Sequence, residues 1–410
     1  MGPHDRPVVI GGGAAGLAAC LTLEQGGLSP VLVESSQRLG GRLATAELPD
    51  GSPVDVGFQV LLTAYPELQR WVDLSAMEKV TFVPGAMVRK DGRWRTLADP
   101  RRMPGSVPAT AFSGIGTWRD RFRILRLVAG STRGTPESVQ DGRSKGSTHA
   151  FLRDEGFSEG FIHDFLRPFF SGIFLDASLS PPPAQFLYTL RMMATGQVVV
   201  PAGGMVRLVE ALTSGLRRTE LRLGQRVAHV LPGAIQLSDG NTVAAGGVID
   251  TRPDVEGADW NACFNAVFEC GSRPFGKPII GLLPDARCVT NLHFMEDVEG
   301  ARSRGRLNVT ALMPKPGTLD RAQMESEVRA DLEDAGLDVG PMLWSVEIPN
   351  ALPKMDGVRS AMPDPRAGEG HYRAGDHTAA PSLDAALRSG RAAAEALLAD
   401  WGKSAGHEAR

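Results

Sequence analysis

Apolar and polar positions follow three rhythms along this chain. At the N-terminal end, Val8-Val9-Ile10 is a short unbroken apolar run, Leu17 to Gln25 is compatible with a helix, and Pro30-Val31-Leu32-Val33 is a second apolar run. Unbroken runs of this length read as strands buried on both faces, and a helix between two of them reads as a parallel strand-helix-strand unit. From residue 85 to about 196 helical spacing takes over. Phe157, Phe161, Phe165 and Phe169 recur every four positions and line one helical stripe, with Pro168 disturbing its end. Gly134 to Ser147 is rich in Gly, Ser, Thr and charge and reads as a loop. Strand patterns then return at Val198-Val199-Val200, at Arg226 to Val230 and at Val248-Ile249. Between the last two, Ala234 to Val243 reads as a hairpin turning at Asp239-Gly240. Phe264 to Phe268, Ile279 to Leu283 and Leu307 to Leu312 read as further strands, and Leu319 to Ala335 as an amphipathic helix. Near the C-terminal end a strand stops at Gly375-Asp376, and Ser382 can cap an alanine-rich helix.

The first rhythm carries chemistry. Its strand runs straight into Gly11-x-Gly13-x-x-Gly16, and its second strand ends in Glu34. Strand, glycine turn, helix, strand and acid form the dinucleotide-binding fingerprint in its expected context. Gly11 permits the tight turn, Gly13 lets a pyrophosphate approach the backbone, and Gly16 lets helix and strand pack closely. Ala14 and Ala15 open the helix, whose free N–H groups and partial positive charge suit phosphate. The acid at Glu34 can take the 2′-hydroxyl of an adenosine ribose, which argues against a 2′-phosphate. Ser35-Ser36-Gln37-Arg38-Leu39-Gly40-Gly41-Arg42 follows almost at once.

With this second glycine pair the sequence resembles the flavin amine oxidase, phytoene desaturase and protoporphyrinogen oxidase superfamily, and Arg167 to Phe174 with Tyr188 to Met193 resemble a bacterial desaturase-like subgroup of it. The resemblance implies an α/β protein. A Rossmann-like FAD-binding domain of the glutathione-reductase type would be interleaved with a substrate domain of mixed sheet and helices. The FAD domain would take residues 1–84, 197–254 and 364–405, and the substrate domain 85–196 and 255–363. It implies that Arg38, Gly40, Gly41 and Arg42 close over the FAD pyrophosphate and that Ser35 is among the residues that bind the cofactor. Gly57, Phe58 and Gln59 would run beside the flavin ring, the backbone of Val227 would meet the adenine, and Gly375-Asp376 would hold the ribityl chain. Ser382, Leu383 and Ala385 would bring a helix N-terminus to the flavin pyrimidine. Asp250 departs from the family's small or apolar residue. Gln59 is the candidate catalytic side chain, because a primary amide can bond either flavin or substrate. Phe58 reads equally as a packed strand end.

Composition narrows the partners. A chain of 410 residues supports two or three domains. A net charge of −3 and the lack of a basic block interleaved with aromatics leave no reason to expect nucleic acid. Four scattered cysteines form no C-x-x-C pair, so neither a redox disulfide nor a metal site is signalled, and a reducing cytoplasm is the expected compartment. The first strand begins too near Met1 to leave room for a signal peptide. No cysteine lies near Asp376, so FAD is expected to be non-covalent.

Seven of the 16 phenylalanines fall between Phe151 and Phe174. They read as a core stripe or as one wall of an apolar cavity, for which Phe165 and Phe169 are the candidates. Asn350 stands where the subgroup has an aromatic residue beside the pocket. His293 reads as structural. Trp118 to Ala129 mixes Arg119, Arg121, Arg123 and Arg126 with apolar residues. It reads as a helix with one solvated face or as a peripheral contact with the inner face of a membrane. The expectation is an FAD-dependent oxidoreductase of the desaturase or oxidase type, taking hydride from a polyene, terpenoid or porphyrinogen-like substrate to flavin N5. Oxygen or a quinone would be the electron acceptor. A flavin amine oxidase is the alternative within the superfamily, and an FAD-bound assembly protein without turnover is the alternative outside it.

Overall fold

The structure, a computed structural model, describes the chain except residues 1–5, 137, 139–144, 254–258, 274, 301–302, 315–319, 355–361 and 409–410. In chain order, β1 (Pro7–Ile10), α1 (Ala14–Gln25) and β2 (Val31–Val33) come first. β3 (Gly85–Lys90) and β4 (Arg93–Ala98) follow, then the helices α2 (Trp118–Ser131), α3 (Arg167–Phe174) and α4 (Pro183–Thr195). Next come β5 (Glu220–Arg222), β6 (Gly247–Asp250), β7 (Trp260–Cys270), β8 (Ile280–Leu282), β9 (Val289–Phe294) and β10 (Arg306–Leu312). The chain closes with α5 (Arg321–Asp334), β11 (Val339–Pro353), β12 (Arg366–Gly368), β13 (His371–Arg373) and α6 (Leu383–Glu408).

One sheet has the order β5-β2-β1-β6-β13-β12. Its strands are parallel up to β13, and β12 closes it antiparallel. β1 is buried throughout and sits beside β2 and β6, so strands drawn from two distant stretches of chain converge on the glycine turn. Leu17, Leu23, Leu32, Ile249, Leu387 and Leu397 fill the core between this sheet and helices α1 and α6. At Gly390 of α6 a Cβ would lie 2.0 Å from the Ala15 carbonyl oxygen, so these two helices touch backbone to backbone.

The other sheet has the order β11-β7-β10-β9-β8-β3-β4 and is antiparallel except between β8 and β3. One face carries Phe264, Phe268, Leu292, Phe294, Leu307 and Val309 and packs on Met324, Val328 and Leu332 of α5. Helix α3 packs over the opposite face at β9 and β10. The mixed two-domain α/β architecture is the one expected, with the first sheet assembled around insertions that build the second.

Three expectations need correction or narrowing. Residues 85–98 are not helical; β3 and β4 form a hairpin that joins the second sheet. Pro168 does not end the phenylalanine helix. Ile162–Leu166 makes a π-type turn, and Pro168 then sits in the first turn of α3, where its missing N–H costs nothing, so the helix runs on to Phe174. Helix α5 starts at Arg321, capped by Asp320 with a reciprocal bond from Gln323, and Leu319 lies outside the described residues. Of the loop expected at Gly134 to Ser147, residues 137 and 139–144 also lie outside them.

Candidate active site

The glycine turn is shaped by contacts that exclude side chains. Gly11 has φ +98°, and a Cβ there would stand 2.3 Å from Thr251 Oγ1. A Cβ on Gly16 would stand 1.9 Å from the Gly11 carbonyl oxygen, so α1 packs directly on the end of β1. Gly13 differs: a Cβ there would meet nothing within 4 Å. Gly13 is the N-cap of α1, no side chain caps the helix, and its first turn carries no acid. An uncapped helix start beside open space is the cradle that a pyrophosphate requires. The second glycine pair closes it from the other side. Gly40 donates its N–H to the Gly12 carbonyl at 2.8 Å, and the Cβ position of Gly41 lies 3.3 Å from Gly13 Cα.

Glu34 ends β2 below this turn. Its carboxylate accepts the Gly12 N–H at 2.7 Å and the Ser36 N–H at 2.8 Å, with Ser35 Oγ at 3.3 Å. Burial pushes its pKa up, and these hydrogen bonds outweigh burial and hold it below the usual value. The acid is therefore ionised and has acceptor capacity left for ribose hydroxyls. Arg38 and Ser35 are exposed beside it, and Arg38 Nη1 donates to the Gly41 carbonyl.

Arg42 joins distant parts of the chain. Nη2 pairs with Oδ1 of Asp376, itself buried just after Gly375, and Nη1 donates to the Ala351 carbonyl of β11 at 3.0 Å. Its guanidinium also lies over the Trp260 ring of β7, 5.5 Å from the centroid. The second glycine element, the Gly-Asp element and the second sheet thus meet at one side chain. Gly375 donates its N–H to Ser389 Oγ. Ser382 Oγ accepts the Ala385 N–H at 3.1 Å and caps α6, with Leu383 and Ala385 in the first turn. Asp384 in that turn is buried between the Tyr188 hydroxyl and the Glu67 N–H. Burial raises its pKa, and the Tyr188 bond opposes that. Asp384 and Tyr188 lie in stretches that resemble the family, but nothing in the sequence pairs them with each other.

Val227 lies at the start of the strand Val227–Leu231, and its carbonyl accepts from Arg252 Nη1 at 2.7 Å. The unexpected Asp250 is paired with that arginine through Oδ1 and Oδ2. The departure is thus a buried acid with its own cation, and the packing around β6 stays intact.

The expected catalytic amide is engaged elsewhere. Gln59 Nε2 donates to the carbonyls of Arg42 and Val56, so Gln59 braces the loop between them. Its neighbours point to a different residue. The Phe58 ring lies 4.7 Å from the His293 ring and 5.7 Å from Phe82, and the Cβ position of Gly57 is 3.0 Å from Ile348 of β11. His293 is buried, its Nδ1 has no partner, and burial lowers its pKa to about 4, so it is neutral at neutral pH. The strand pairing puts His293 opposite Asn308, and Asn291 opposite Thr310. Asn265 bonds Asn308 and Thr310 across the same face. A buried face of neutral polar groups therefore fronts the Phe58 segment. Its signal was present as alternation: Asn291 and His293 occupy every second position between Leu292 and Phe294.

Phe165 and Phe169 lie elsewhere. Each is half-buried, and their rings stack along the helix with Phe161 and Phe170 against the cluster of Ile115, Leu152, Phe174 and Phe186. Asn350 is exposed on β11, next to the Ala351 carbonyl that Arg42 holds. Burial pushes the thiols of Cys20, Cys263 and Cys288 up, Cys263 to about 12. Among the described residues no acidic, His and Cys cluster could hold a metal. Two shallow concavities of about 690 and 560 Å³ lie away from the glycine turn, and nothing ties them to this chemistry.

Comparison with known proteins agrees with this geometry. Residues 14–253 match the profile of a family described as flavin containing amine oxidoreductase. The 15-cis-phytoene desaturase of Narcissus pseudonarcissus is 39% identical over 105 residues, 24% of this chain and 18% of that protein. Each curated relative is matched over less than a third of its own length. An oxidoreductase from Methanosarcina mazei has a similar fold, with TM-score 0.70, 16% identity, and coverage of 95% of this chain and 100% of that one. Wild-type putrescine oxidase bound to putrescine is similar at TM-score 0.70 and 14% identity, over 96% and 99% of the two chains. At such identities the likeness concerns fold alone.

Proposed function

The chain belongs to the flavin containing amine oxidoreductase family and is an FAD-dependent oxidoreductase; on that premise we propose that it binds one FAD non-covalently and oxidises an uncharged, largely apolar molecule. The open space at Gly13, the uncapped start of α1 and the ionised Glu34 fit the pyrophosphate and ribose. Arg42 and Asp376 fit the middle of the cofactor, where a cation and a buried acceptor serve phosphate and ribityl hydroxyls. The four cysteines, buried or half-buried, support the non-covalent reading.

Bound FAD would supply hydride acceptance at N5, and the protein would supply position and a dry surround. The observation that carries the substrate class is the Phe58 contact set. Phe58, Phe82, Val200 and Val298 cluster together, the nearest titratable ring is a neutral histidine, and burial raises the pKa of nearby Glu299 to about 7, which favours its uncharged form. Such a surface favours a polyene, terpenoid or porphyrinogen-like skeleton and penalises an ammonium group. The neutral amides and His293 can orient the skeleton through an uncharged oxygen. Oxygen or a quinone completes the cycle as electron acceptor.

The amine oxidase reading needs an aromatic pair open to an amine. The one near-parallel tyrosine pair, Tyr65 with Tyr188, is packed: Tyr65 is buried and the Tyr188 hydroxyl is spent on Asp384. The test is anaerobic mixing of the flavin-loaded protein with primary amines, apolar polyenes and tetrapyrroles, followed at the flavin absorbance. Bleaching by an apolar compound and not by amines is expected; bleaching by amines alone would reverse the substrate assignment.

A further inference from the structure

Helix α2 is held firmly and still leaves its most apolar stripe in water. At its start, Thr117 and Asp120 form a reciprocal capping box, and buried Asp120 also accepts the N–H and hydroxyl of Ser158. At its end, the buried Arg191 guanidinium donates to the carbonyls of Ser131, Arg133 and Gly134. Ile124, Leu127 and Val128 face inward, the first two against the phenylalanine core. Trp118, Phe122 and Leu125, at positions i, i+4 and i+7, face outward. Trp118 is 71% exposed, Phe122 69%, and Phe112 beside them 84%, with Val107 also exposed. A helix fastened at both ends does not expose two aromatic rings through fraying, and clustered exposure of this kind marks a binding surface.

The charge around the stripe identifies the occupant. Residues 101–133 contain seven arginines and one acid, Asp120, whereas the whole chain carries −3; Asp99 and Glu155, outside this stretch, pair with Arg101 and Arg126, so the local excess remains positive. Arg119 and Arg126 lie along one flank of the stripe, Arg126 paired with Glu155 at 3.0 Å; on the other flank Arg121 stacks over the Trp118 ring, 4.8 Å from its centroid, and donates to the Ala111 and Ile115 carbonyls, which ties the Phe112 segment to the helix. An apolar centre with aromatic rings and flanking cations is the pattern of a helix lying in a bilayer interface. Among the described residues no helix is long and apolar enough to cross a membrane. We propose that the outer face of α2, with Phe112 and Val107, docks this protein on the surface of an anionic phospholipid bilayer. The docking rests on no assumption about flavin or substrate.

The test uses the flavin-loaded full chain and vesicles of phosphatidylcholine, alone or mixed with phosphatidylglycerol, with binding read by co-sedimentation. Wild type should bind the mixed vesicles at least about tenfold more tightly than the neutral ones, and high salt should remove most of that preference. The Trp118→Ser, Phe122→Ser double variant should lose about tenfold or more on mixed vesicles while keeping its flavin content and melting temperature. Arg119→Gln should lose about fivefold on mixed vesicles and nothing on neutral ones. Wild type that ignores mixed vesicles, or a double variant that binds them equally well, would overturn the proposal. So would a wild-type dimer that the double variant abolishes without vesicle binding, which would make this face a contact between copies of the chain. Neither result would touch the flavin assignment, which is read separately from the bound cofactor.

Discussion

Around Gly13, distant stretches of chain meet through backbone groups, whereas around His293 the strands β7, β9 and β10 meet through side chains. In the first region Gly40 bonds Gly12, Gly16 presses on Gly11, and Arg42 reaches Asp376. The positions are fixed by what a backbone permits, so the residues allowed there are few. In the second region Asn265, Asn291, His293, Asn308 and Thr310 share a face only because three strands pair in one register. Side-chain identity there answers to the bonds the strands exchange, Asn265 with Asn308 and Thr310. The glycine region is constrained by what a backbone permits, and the His293 region by which side chains the strand register brings together.

The sharpest way to break this contrast is to add one methyl group at two glycines. Gly16→Ala should fail to yield folded protein, because its Cβ would overlap the Gly11 carbonyl; a cost above roughly 3 kcal/mol is expected. Gly13→Ala meets open space and should fold with a melting temperature near wild type. It should nevertheless retain FAD about ten- to a hundredfold less tightly, since the new methyl fills the phosphate approach. Soluble yield, thermal melting and flavin content of the two variants decide it. Equal behaviour of the pair would mean that Gly13 does not face the cofactor.

Next in size are the charged anchors. Losing a charge-assisted hydrogen bond costs roughly 1.5–3 kcal/mol. Glu34→Ala and Asp376→Ala should each weaken FAD retention about ten- to a hundredfold. Arg42→Ala should do the same and also loosen Ala351 and Trp260, so protease sensitivity near β11 should rise in that variant alone. Full flavin occupancy in all three would remove the cofactor roles assigned to them.

The two regions were not equally legible. The first sheet, its glycine turn and the capped C-terminal helix could be read because each uses a local signature: apolar runs, glycine spacing, Ser382 before an alanine-rich stretch. The three-way role of Arg42 was legible only in part, since its acid lies at Asp376 and its aromatic partner at Trp260, positions set by folding. Gln59 was legible only as an alternative, because an amide near a flavin motif can serve either ligand or loop, and Nε2 here bonds two backbone carbonyls. The phenylalanine stripe was real, yet spacing cannot tell a core from a cavity wall. His293 was passed over because one histidine carries no pattern; its strand partner Asn308 and the ring of Phe58 are what distinguish it.

The smallest expected effects sharpen the His293 region through two groups with opposite pH responses. His293 has a pKa near 4 in the folded protein against an ordinary value of 6.5, because it is buried. Between those values the unfolded chain takes up a proton that the folded protein refuses, so stability falls as pH drops from 6.5 to 4. Glu299, next to Val298 of the Phe58 cluster, behaves in the reverse sense. Burial, with a contribution from Asp55, raises its pKa from 4.5 to about 7. Between pH 4.5 and 7 the folded protein keeps a proton that the unfolded chain has released, so stability falls as pH rises. In the shared window the two slopes oppose each other, and the larger histidine effect should leave wild type climbing modestly as pH rises. His293→Asn should unmask the glutamate, so that melting temperature declines from pH 4.5 to 7. Glu299→Gln should unmask the histidine, so that it climbs from pH 4 to 6.5. The histidine is worth up to about 3 kcal/mol, a shift of several degrees. The half-exposed glutamate is worth about 1 kcal/mol after solvent screening, a shift of about 1–2 °C. Melting profiles of the three proteins across this range supply the check. Parallel profiles would mean that neither group is buried as described, and that the face before Phe58 is wet.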